Sequence, residues 1–151
     1  MANDWTTNSK VLIQPGKAAG ALRLGQPVPA EAAKLYGAPV SRTEPEPGAK
    51  GKDTGSLVYG HSAEFEIKNG MLVKLNDGKG DQNVYVVYVR GIRAYTAEGA
   101  TLGMTMAKAR KVYPSAKTGT DDLTGGPKLS IPGLTMVFSQ SDKMVEMVVH
   151  R

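Results

Sequence analysis

His61 and His150 are the chain's two histidines, the side chains a metal site or a catalytic triad would draw on, and the chain has no cysteine. Without cysteine there is no disulfide, no thiol nucleophile and no thiolate zinc site. The two histidines lie far apart in sequence, and no Glu or His sits four residues beyond either on a helix. A Ser–His–Asp set can be drawn on paper from Ser62, His61 or His150 and an aspartate, but no G-x-S-x-G elbow exists to present the serine. Carboxylates pair at Glu44/Glu46, Glu64/Glu66 and Asp121/Asp122. The first and last pairs fall in turn-rich polar stretches, poor supports for acid–base work. Asp77-Gly78-Lys79-Gly80-Asp81 lacks the alternating oxygen ligands and terminal Glu of a calcium loop. The expectation is a chain with no catalytic residues, no metal site and no cofactor.

Aromatic and basic residues point elsewhere. Tyr85, Tyr88, Tyr95, Arg90 and Arg93 gather at one strand-like run and its exit. Tyr and Arg on a sheet face are the composition of a protein-binding hot spot. Tyr59, His61, Tyr88, Arg90 and Arg93 are the partner-binding candidates. The same residues could stack bases, so nucleic acid is the alternative partner. Against it, strict alternation puts Tyr85 and Tyr88 on opposite faces, and there is no RNP-like string or basic stripe. Net charge is +5. Residues 1–93 hold 12 basic against 9 acidic side chains and residues 94–151 hold 7 against 5, so the excess is spread. A basic binder suits an acidic partner.

These residues need strands to hold them. Val84–Arg90 is a strand with Val84, Val86, Tyr88 and Arg90 on one face and Tyr85, Val87 and Val89 on the other. Both faces are largely apolar, which predicts a central strand. Val11–Ile13, Leu57–Tyr59, Ala63–Ile67, Asn69–Leu75, Pro132–Phe138 and Met144–Val149 also read as strands. Pro27 and Pro29 open a helix ending at Tyr36-Gly37, and Thr105 caps a second over Met106–Tyr113. Residues 41–56 and 115–128 read as polar loops, and Asp77–Asn83 as a wide hairpin turn.

The chain also repeats itself. Gly20-Ala21-Leu22-Arg23-Leu24-Gly25 and a helix ending in Tyr36 are echoed by Gly99-Ala100-Thr101-Leu102-Gly103 and a helix ending in Tyr113. Each is followed by a hairpin pattern. The expected fold is one α+β domain over 1–151. In it, two tandem helix-plus-β-hairpin repeats, about 11–93 and about 94–151, form one antiparallel sheet with short helices packed against it.

Gln14-Pro15-Gly16-Lys17, Gly20, Leu22-Arg23-Leu24-Gly25 and Tyr36-Gly37, with Leu102-Gly103-Met104-Thr105, Tyr113-Pro114 and Pro132–Phe138, resemble repeats of bacterial envelope proteins. The architecture implied is that of the β-lactamase inhibitor protein and of the small SmpA/OmlA-type outer-membrane-assembly lipoproteins. The inhibitor family's disulfides and the lipoprotein cysteine are missing. The resemblance implies a secreted, periplasmic or lipid-anchored protein that binds other proteins, an inhibitor or assembly factor. No stretch approaches the ~20 apolar residues of a membrane span. Met1–Trp5 lacks a basic start and apolar core. The expected location is therefore periplasmic or secreted, as a mature form without its leader, or else cytoplasmic.

Overall fold

Runs of β-branched and aromatic residues decide the architecture. Val84–Val89 and Met144–Val149 suit a pleated surface with neighbours on both sides, and they form the two central strands of a large sheet. The structure, a computed structural model, describes residues 10–43, 55–63, 66–75, 83–91, 93–122 and 124–151; at 61–63, 66 and 93 the backbone alone is described. Trp5, most of the 41–56 stretch and most of the Asp77–Asn83 turn lie outside the described residues.

In chain order the elements are β1 (Lys10–Gln14), β2 (Ala18–Ala19), β3 (Leu22–Arg23), α1 (Ala32–Tyr36), β4 (Ser41–Thr43), β5 (Ser56–Ala63), β6 (Glu66–Leu75), β7 (Val84–Arg90), β8 (Arg93–Thr96), α2 (Met106–Val112), β9 (Lys117–Thr120), β10 (Pro127–Ile131), β11 (Leu134–Phe138) and β12 (Met144–Val149). Among the described residues, strand accounts for 51% and helix for 10%. This corrects the expected α+β helix-plus-hairpin repeat. The protein is mainly β, with an eight-stranded antiparallel sheet in the order β4-β5-β6-β7-β12-β11-β10-β9 and a second sheet in the order β3-β2-β1-β8. The helices have five and seven residues. Helices that short cannot make a layer of their own and are held by packing.

The hairpins are halves of larger units. Strands β4–β7 and β9–β12 are each a four-stranded meander, and the two join through their last strands, β7 and β12. The polar stretches at 41–56 and 115–128 supply edge strands β4 and β9, whose residues are all exposed. In the second sheet β1 runs parallel to β8, with Val11 opposite Ala94.

One clamp occurs in both halves. The Gly25 N–H donates to the Val84 carbonyl and the Val84 N–H to the Gln26 carbonyl, both at 2.8 Å. The Gly103 N–H donates to the Met144 carbonyl and the Met144 N–H to the Met104 carbonyl, again at 2.8 Å. Both glycines have positive φ, 80° and 95°, which Gly adopts at little steric cost. The tyrosines at the helix ends close a second pair of ties. The Tyr36 hydroxyl accepts the Ala21 N–H at 2.8 Å. The Tyr113 hydroxyl bridges Thr96 Oγ1 at 2.8 Å and Glu98 Oε1 at 2.9 Å, while the Ala100 N–H donates to Thr96 Oγ1. Burial pushes the Tyr113 phenol up to about 12, with Thr96 opposing and Glu98 adding to the rise. Thr105 caps α2 by accepting the Lys108 N–H at 3.3 Å.

The core lies against one face of the large sheet. Register places Tyr59, Met71, Val89, Met147, Met136 and Leu129 in one row across six strands. Leu57, Val73, Val87, Val149, Leu134 and Ile131 form the next row. Val11, Ile13, Ala19 and Ala94 of the second sheet and Ala32, Tyr36 and Ala109 of the helices complete the same cluster.

Candidate interaction face

The opposite face of the large sheet carries the candidate site. Alternation along each strand turns every second residue away from the core. One row crosses all eight strands: Ser41, Val58, Leu72, Tyr88, Val148, Thr135, Ser130 and Lys117. At ~4.8 Å per strand it runs about 34 Å. Its centre, Val58, Leu72, Tyr88 and Val148, is apolar and half-buried. The next row is Gly60, Gly70, Arg90, Glu146, Val137, Lys128 and Gly119.

Charge surrounds this apolar centre. Arg90 Nε lies 3.3 Å from Glu146 Oε2, directly across the β7–β12 pair. The Lys74 ammonium sits 5.6 Å from the Tyr88 ring centroid, a cation–π contact. Lys117 and Lys128 stand on the β9–β10 side. Burial raises the Tyr88 phenol above its ordinary value, and the negative charges of Glu146 and Asp121 and neighbouring Tyr85 raise it further. Beside it, Arg90, Thr124, Gly126 and Val145 line a hollow of about 230 Å³.

The sequence-derived candidates separate. Tyr88 and Arg90 share the open face. Tyr59 is on the other side, 3% exposed, its ring packed edge-on to Tyr36 with centroids 5.8 Å apart. His61 of β5 pairs with Asn69 of β6, and Arg93 opens β8 in the second sheet opposite Lys10; for His61 and Arg93 the backbone alone is described. Simple alternation also misassigns Tyr85. The β6–β7 register shifts between Lys74 and Leu75, so Val84 joins the buried side at 1% exposure while Tyr85 stands 52% exposed. A bulge places an extra residue on one strand and changes its parity. Val58, Leu72 and Val148 were not singled out from sequence, although Met71-Leu72-Val73 in β6, apolar on both faces, was the available signal.

Among the described residues, no group of three or more His, Asp or Glu side chains is arranged to hold a metal ion. No helix among them is long and apolar enough to cross a membrane.

No protein-family model matches the sequence, and no curated protein matches it. A solved structure does. The chain is similar in fold to the uncharacterized protein YfeY from Escherichia coli. The TM-score is 0.56 at 14% identity, covering 94% of this chain and 99% of that one. At such identity the likeness is one of fold alone.

Proposed function

We propose that this chain is a non-enzymatic protein-binding module that docks a partner on the open face of its eight-stranded sheet. The observation that carries the reading is the apolar row Val58–Leu72–Tyr88–Val148, left half-buried by the fold. A row of this kind with Tyr and Arg beside it has the make-up of an interface centre. Lys74, Lys117 and Lys128 around it favour a partner whose contact surface carries carboxylates at its rim. Docking there would cover the partner's own surface, so the role is that of an inhibitor or an assembly factor acting by occlusion. The bacterial envelope or the secreted fraction is the proposed setting, on the strength of the repeat motifs around Gly20–Gly25 and Gly99–Gly103.

A second reading is nucleic-acid binding. The bulge favours it, because it leaves Tyr85 exposed on the same strand as Tyr88. Capture from native envelope and secreted fractions separates the two. One protein retained stoichiometrically at high salt by the native chain, and lost with Leu72→Lys, supports the docking face. Retention of nuclease-sensitive material alone, released by salt, replaces it with the second reading.

A further inference from the structure

A separate cleft opens on the core side of the sheet at its β4 edge. Its volume is about 670 Å³, inside the range of about 300–1,000 Å³ typical of small-molecule sites. Pro27, Val28 and Ala33 form the wall toward α1, and Leu57, Tyr59 and Leu75 form the sheet side. Prolines fix the backbone of that wall, so the trough is preorganised. No carboxylate lines it among the described residues.

Its lining mixes apolar side chains with polar groups, Asn83 and the Tyr59 phenol among them, and one of these is cationic. Arg42 is the register partner of Leu57, so its side chain leaves β4 on the cleft side. It is exposed, and no carboxylate among the described residues pairs with it. Its charge acts on the Tyr59 phenol, which also lines the cleft. The α1–β4 segment further exposes Leu35 and Val40. A trough with aliphatic and proline walls and a guanidinium at one end complements a molecule with an apolar body and one anionic head.

We infer that this cleft binds a free alkyl carboxylate, its chain along Pro27, Val28 and Leu57 and its head on the Arg42 guanidinium beside the Tyr59 hydroxyl. The site lies across the sheet from the docking face and stands independently of it.

Calorimetric titration of the intact chain with dodecanoate, below its micelle concentration, tests the inference. The expected result is saturable one-to-one binding, with dodecanol weaker by about tenfold or more for want of the charge-assisted contact. Each methylene removed from the probe weakens binding about fourfold. Arg42→Gln lowers dodecanoate to the level of the alcohol. Ala33→Trp, at an exposed position of α1, fills the trough and abolishes binding of both with the melting temperature unchanged. Equal affinity for acid and alcohol, indifference to Arg42→Gln and Ala33→Trp, or no saturable binding overturns it. So does binding of an apolar peptide with a free C-terminal carboxylate where dodecanoate does not bind.

Discussion

Replacing Tyr113 with Phe removes one oxygen from the tie between α2 and the turn after β8. Thr96 is 2% exposed and keeps the Ala100 N–H, but loses its contact to the phenol. Glu98 is exposed and regains water. A buried bond and a part-buried one at about 1 kcal/mol each put the loss at about 2 kcal/mol, which in a chain of this size lowers the melting temperature by about 6 °C. The pH dependence gives a sharper signature. The Tyr113 phenol is raised from 10.0 to about 12 by folding, so the stability it confers is intact below pH 10 and disappears as pH climbs toward 12. Linkage between those values removes about 1.4 kcal/mol by pH 11, trimmed to about 1 kcal/mol by solvent screening on the Glu98 side. The other raised tyrosines titrate alike in both proteins and cancel. Urea unfolding of the native chain and Tyr113→Phe at pH 8 and pH 11 reads the difference. The gap is expected to shrink from about 2 to about 1 kcal/mol. An unchanged gap, or one below about 0.5 kcal/mol at pH 8, refutes the reasoning.

Three further outcomes are expected. Gly60→Ala destabilises by about 3 kcal/mol in urea unfolding, because φ is +97° and an added Cβ would run into the Asn69 carbonyl oxygen. Met147→Ala, fully buried in the middle of the core row, costs about 3 kcal/mol by the same assay through the cavity it leaves. Val148→Lys, half-buried on the open face, changes stability by less than about 1 kcal/mol yet abolishes partner retention in a capture assay.

Legibility in the sequence followed burial. β7, β11, β12 and the Thr105 cap of α2 could be read because their side chains alternate or repeat against a core. Edge strands β4 and β9 could not, since Ser41–Thr43 and Lys117–Thr120 are exposed throughout and carry no hydrophobic period. Missing them, and β10 beside β9, shortened both meanders and gave the helices more weight than five and seven residues hold. For the candidate face, Tyr88 and Arg90 were legible from their strand. Tyr59 was not, because Val58-Tyr59-Gly60 does not say which side meets the core. The exposure of Tyr85 depends on a register shift, a property of two strands together that neither one's residues announce.

A photoreactive benzophenone side chain in place of Tyr88 tests the central claim most directly, with the same group in place of Lys108, exposed on α2 at the core side, as the comparison. Irradiation in the native fractions is expected to give one discrete protein adduct from position 88 and none from position 108. Adducts from 108 alone, equal labelling from both, or none at 88 would contradict docking on the open face.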